Sequence, residues 1–271
     1  SGIHYWTGDP NRKLRSNMGV FTTAARDPLF YAHHANVDRL WEVWQGLPGG
    51  CRKAPTDEDF LDAEFLFYDE NKNLVKVRAK EALQLEKMGV SYEAATEGDD
   101  LWKSFEPKPA SGNGGSQVGY AKEKMDAKEI AAAATDSRPI DLGSTFTALV
   151  KRPTKNSSPS SSGEDEVLVI QGVDVSREDY VNLKVFVNMP TVDTKTAIYT
   201  AEYVGSSIIV PSPDAGKRLF ATVKFEVGNN LRRLGLQSDE YVVVTILTNS
   251  DAGPVTIRGM EMEYQSTICS S

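Results

Sequence analysis

Phe30, His34, Val37, Trp41 and Trp44 recur at helical spacing between Asp27 and Gly46. That stripe predicts an amphipathic helix with His34 on its apolar, inward face. Asp27 can cap the helix, and Pro28 suits its first turn, where a missing N–H costs nothing. Gly46, Pro48, Gly49 and Gly50 end it. Strand-like runs follow at 64–68 and 74–77, on either side of the turn Asp69-Glu70-Asn71-Lys72-Asn73, and 79–88 reads as helical. From about Arg138 the pattern becomes alternating. Strands are predicted at 145–150, 166–175, 183–187, 198–204, 219–227, 241–247 and 255–264. Short strands separated by turn signals suggest an antiparallel sandwich or barrel, so the fold class expected is α+β.

Between these regions the composition shifts. Residues 107–117 are rich in Pro, Gly and Ser, bury little and read as a linker, and 121–135 is a charged, alanine-rich candidate surface helix. The serine-rich stretch 157–163 reads as a protease-sensitive loop. The expected division is 1–103, a linker over 104–138, and a β domain over 139–271. A chain of 271 residues accommodates two modest domains. The net charge of −8 argues against nucleic acid or an anionic membrane as partner. No apolar run reaches the length of a membrane-spanning helix. The start at Ser1 shows neither a signal nor a transit peptide. Cys51 and Cys269 are too few for a disulfide framework and are expected to be unpaired.

Candidate chemistry concentrates on the first helix. It carries His33, His34, Asp38 and Arg39, and Asp38 lies one turn after His34, where a carboxylate can organise the surroundings of a ligand. The remaining histidine, His4, also sits among aromatics. An inward histidine with polar neighbours suits a metal centre, but such a histidine is more often a satisfied core residue than a ligand, and the spacing matches no local metal motif.

Longer motifs carry more information. His4-Tyr5-Trp6-Thr7-Gly8-Asp9, Asn17-Met18-Gly19-Val20-Phe21, and Ala24-Ala25-Arg26-Asp27-Pro28 through Trp41 closely resemble the second copper-binding region of plant polyphenol oxidases, the catechol oxidases and tyrosinases. Phe65-Leu66-Phe67-Tyr68-Asp69-Glu70-Asn71 is similar to a segment near the end of that family's catalytic domain. Glu166-Val167-Leu168-Val169-Ile170-Gln171-Gly172 is similar to an early strand of its C-terminal domain. In place of the family's Lys-Phe-Asp-Val-Phe signature this chain has Asn182-Leu183-Lys184-Val185-Phe186.

The resemblance implies a remnant of a helical type-3 copper domain followed by a C-terminal shielding domain. In that family three histidines bind each of two coppers. His4 matches the second member of the His-x-x-x-His pair, whose first member would precede Ser1. His34 matches the helical ligand, and His33 its non-ligating neighbour. Phe21 matches a bulky residue over the copper site, while Ser1 and Tyr5 match positions lining the substrate entrance. Asn36, Asp38 and Arg39 are expected to orient ligands and fix the helix.

Nothing in the chain resembles the first copper region, with its histidines, cysteine thioether and disulfides. The implied parent is a latent enzyme oxidising o-diphenols to o-quinones with dioxygen, located in the plastid, in the thylakoid lumen, or alternatively the vacuole. The chain alone is expected to be inactive and to need the N-terminal half as partner. The alternatives are a non-catalytic fragment or shielding module, and an oxygen-binding type-3 copper protein. The loop 188–192 is a candidate plug over the site or an ordinary strand-end turn. Proteolysis is expected first at 107–117 and 155–166.

Overall fold

The structure, a computed structural model, describes residues 2–12, 15–47, 52, 54–94, 101–110, 115–124, 139–154, 164–176, 180–209, 218–249 and 253–266. Ser1, Cys51, Cys269, the stretch 157–163 and the part of the expected 121–135 helix beyond Lys124 lie outside those residues. The chain packs as two compact units, Ser1–Tyr31 with Glu106–Ser271, and Ala32–Phe105.

In chain order the first helices are α1 (Gly2–Thr7), α2 (Phe21–Ala24) and α3 (Pro28–Gln45). Asp27 caps α3 as its sequence predicts: its carboxylate accepts the Leu29 N–H at 2.9 Å. Then come α4 (Glu58–Leu61) and a hairpin of β1 (Glu64–Tyr68) and β2 (Leu74–Arg78). Asp69 closes the hairpin by accepting the N–H groups of Asn71 and Asn73 at 2.9 and 2.7 Å. The helix expected over 79–88 is broken. One turn, α5 (Ala79–Ala82), is followed by a 3-10 turn, Leu85–Met88, because Gln84 leaves helical geometry (φ −116, ψ 82) between them. A second 3-10 turn, Leu101–Ser104, ends this part of the chain.

Beyond it, α6 (Val118–Lys124) precedes β3 (Ile140–Asp141), β4 (Thr145–Lys151), β5 (Glu164–Ser176), β6 (Val181–Val187), β7 (Tyr203–Ile209) and β8 (Arg218–Glu226). A short helix α7 (Gly228–Arg233), β9 (Tyr241–Thr248), β10 (Thr256–Ile257) and β11 (Gly259–Ser266) complete it. One sheet has the order β4-β9-β6-β7. In the other, the long β5 pairs with β8 along one edge and with β10 and β11 along the opposite edge. Ala148, Leu183, Val185, Val244 and Ile246 from the first sheet and Leu168, Ile170, Ile257, Met260 and Met262 from the second share one buried core. The result is an antiparallel sandwich, and the α+β class holds.

The β4-β9-β6-β7 sheet is covered on its outer face too. Ala121 of α6 packs on Leu149 and Val243, while Phe186, Met189, Val192 and Leu247 form a separate cluster joined by Ala110. Burial on both faces explains the unbroken apolar run Val242-Val243-Val244.

The segment expected to be a loose linker supplies part of that cover. Lys108 pairs with Thr200 in a parallel bridge, and Ala201 N–H donates to Lys108 O at 2.9 Å. Ala110 N–H meets both carboxylate oxygens of the fully buried Glu202 at 3.0 and 3.1 Å. Asn188 accepts the Gln117 N–H and donates to Gly115 O. The loop 188–192 helps hold this segment: Asn188, at φ +56, fastens it, and Met189 and Val192 are buried.

Two strands differ from expectation. The run placed at 198–204 forms its ladder over Tyr203–Ile209, because residues around Thr200 pair with Lys108 instead. The run at 255–264 splits into β10 and β11 at Arg258, whose N–H donates to Gln171 O beside the bulge in β5.

Candidate metal centre

His4 lies on α1 and is only 4% exposed. Its Nδ1 is 3.0 Å from the carbonyl oxygen of Met18. A carbonyl only accepts, so this contact places the proton on Nδ1 and the lone pair of the neutral ring on Nε2. The carbonyl is itself firmly placed. Met18 is fully buried, and Asn17 before it adopts φ +76. The Thr23 hydroxyl is 2.9 Å from Asn17 O and 3.1 Å from Val20 O, and it accepts the Asn17 N–H at 3.2 Å. Gly8, just after α1, allows the Arg15 backbone to approach: a Cβ there would fall 2.2 Å from Arg15 O.

The His4 ring meets Phe30 edge-on, with centroids 5.7 Å apart. Phe30 and His34 are four residues apart on α3 and share a helix face. The rings of His33 and His34 meet edge-on at 5.2 Å. His33 is half-buried and His34 exposed.

This corrects one expectation. The stripe through His34 is not an inward face among the described residues, for α3 has no buried residue and Val37 and Trp44 are 46% and 37% exposed. The stripe is real, but it is only partly covered: His4 meets it at Phe30, and Phe30 and Trp41 are half-buried.

Of the other candidates, Arg39 Nε donates to Asn36 Oδ1 at 3.2 Å along α3. Asp38 accepts the Tyr92 hydroxyl at 2.5 Å, a partner no sequence pattern singled out. Hydrogen bonding to the Asp38 carboxylate, then burial, raises the Tyr92 phenol above its ordinary pKa. Phe21 and Tyr5 lie on α2 and α1, but their side chains, like Ser1, fall outside the described residues. Imidazoles suit copper, and a ring oriented by a backbone carbonyl through its other nitrogen is the usual support for a metal-binding histidine. The residues present fit such a centre.

Comparison with known proteins decides the family. Residues 1–47 match the common central domain of tyrosinase, 55–108 the polyphenol oxidase middle domain, and 138–264 the chloroplastic polyphenol oxidase C-terminal domain. The chain belongs to the plant polyphenol oxidase family. It is 37% identical over 270 residues to the latent chloroplastic polyphenol oxidase of Prunus armeniaca, covering 98% of this chain and 43% of that protein. The chloroplastic polyphenol oxidase of Malus domestica is 35% identical over 97% of this chain and 44% of its own length. Among solved structures, latent apple tyrosinase superposes with a TM-score of 0.78 at 33% identity, covering 97% of this chain and 55% of the other. Latent aurone synthase gives 0.81 at 28%, covering 98% and 50%. The chain thus spans less than half the length of these curated polyphenol oxidases. Members of the family are dicopper proteins.

Proposed function

We propose that this chain is the C-terminal part of a latent polyphenol oxidase, supplying the second copper with two ligands, His4 and His34. The observation that carries this reading is the seating of His4: buried, held at Nδ1 by Met18 O, and set edge-on against Phe30 one helical turn before His34. His4 would bind through Nε2, and His34 from the helix. His33 would be the non-ligating neighbour, and Asp38, fixed by Tyr92, would steady the helix that bears His34.

A copper pair bound by imidazoles supplies two-electron oxidation of an o-diphenol to an o-quinone, with dioxygen as acceptor. Around it, Phe21 would stack on the phenol, and Ser1 and Tyr5 would line its approach. The functional division proposed is a catalytic portion over 1–103, a connecting segment over 104–138 and a shielding domain over 139–271. The upstream ligands would come from a polypeptide region preceding Ser1. The chloroplastic designation of the relatives supports a plastid location.

Oxygen uptake with catechol tests the reading. The isolated chain should show none, and the chain joined to the upstream half of a relative should turn over. Absence of turnover in the joined protein, with both coppers loaded, would overturn it.

A further inference from the structure

We propose that Thr23 is a positioning residue for the metal centre, acting on His4 through the turn that carries the Met18 carbonyl. The inference rests on the reading of His4 as a copper ligand and names what holds that ligand in its binding tautomer.

Three observations support it. The Met18 carbonyl meets His4 Nδ1 at 3.0 Å, and the tautomer with its lone pair on Nε2 follows from that contact. The carbonyl sits in a turn that is costly to hold, because Asn17 has φ +76, a region non-glycine residues seldom adopt. The Thr23 hydroxyl closes that turn, accepting the Asn17 N–H and facing the Asn17 and Val20 carbonyls at 2.9 and 3.1 Å. Backbone bonds from Thr23 N–H and Ala24 N–H to Val20 O, at 3.0 and 2.8 Å, anchor the same corner on α2.

Removing the hydroxyl leaves Asn17 with an unfavourable backbone and no side chain to satisfy its N–H. The turn then relaxes toward ordinary φ, and the Met18 carbonyl moves off the ring. A displaced carbonyl no longer selects Nδ1–H, so the two neutral tautomers of His4 mix. Only one of them presents Nε2 to a metal. Outer partners of metal-bound histidines typically set affinity by 10–100-fold. Thr23 acts one step further out, and about tenfold is expected.

The test uses the 271-residue chain with nitrogen-15-labelled histidine. Long-range proton–nitrogen correlation spectra report the tautomer of each ring without metal. The wild type should show His4 as Nδ1–H. Thr23→Val, which keeps the shape and loses the hydroxyl, should show a tautomer mixture at His4 with His33 and His34 unchanged. Thr23→Ser should restore the wild-type spectrum. Titration with Cu(II) alone should then show about tenfold weaker binding in Thr23→Val than in Thr23→Ser.

A wild-type His4 tautomer in Thr23→Val would overturn the proposal, as would a tautomer change accompanied by equal shifts at all three histidines. The copper reading fails separately: if His4→Ala leaves the Cu(II) titration unaltered, His4 is not a ligand, whatever Thr23 does to its ring.

Discussion

Asp38 and Tyr92 show how one hydrogen bond ties α3 to chain far along the sequence. The phenol donates to the carboxylate at 2.5 Å, and its pKa is raised above 10.0 in the fold. A raised pKa means that the bond stabilises the fold in full below the unfolded tyrosine pKa, near 10, and that this contribution is lost as pH climbs through the folded value. Tyrosinate absorbance during alkaline titration should therefore show Tyr92 ionising late, together with Tyr264, whose phenol is raised by burial and by its bond to Glu166. In Asp38→Asn one of the two, Tyr92, should ionise at ordinary alkaline pH while Tyr264 stays late, and an unchanged titration would remove Asp38 as the cause.

Glu166 poses a related question inside the sandwich. Its carboxylate accepts from Arg152 at 2.6 Å and from the Tyr264 hydroxyl at 3.0 Å, and Arg152 also donates to the carbonyls of Leu236, Gln237 and Asp239. With both side chains nearly buried, Glu166→Ala strands the guanidinium. A loss of about 3 kcal/mol in denaturant unfolding is expected.

Among the elements, the hairpin and the capped helix were legible because local chemistry decides them. Asp69 closes its own turn, and Asp27 starts its own helix. The displaced β7 and the split at Arg258 were not legible, because long-range pairing with Lys108 and Gln171 sets those boundaries. At the candidate site, the histidines and the helix could be read from motif, whereas Tyr92, Thr23 and the Met18 carbonyl could not. A backbone acceptor leaves no mark in sequence, and Tyr92 stands 54 residues from its partner.

Gly8 offers a test of the turn that follows α1. Its missing Cβ gives the Arg15 backbone room to approach, so Gly8→Ala should push that turn away. A destabilisation of roughly 1–3 kcal/mol is expected, with weakened tautomer selection at His4. A fully stable variant with an intact His4 signal would show that the approach is not needed.

For the whole molecule, described residues of the segment expected to be a linker, among them Lys108, Ala110 and Gln117, bond to the sandwich. Glu202 is buried, and the Ala110 N–H is among its hydrogen-bond partners. A fragment beginning at Glu106 should thus be more stable than one beginning at Arg138 by at least about 1–3 kcal/mol, the cost of leaving such a buried acceptor short of a partner. Equal unfolding midpoints would show that the strap contributes nothing. Early proteolytic cuts, by the same argument, should spare Lys108 and Ala110, a revision of the expectation from composition alone.

Elemental analysis tests most directly whether His4 and His34 are ligands of one copper. In a full-length protein containing this chain and both copper regions, two coppers per polypeptide are expected, and His34→Ala should retain only the upstream one. Two coppers retained in that variant would contradict the assignment of this helix to the metal centre.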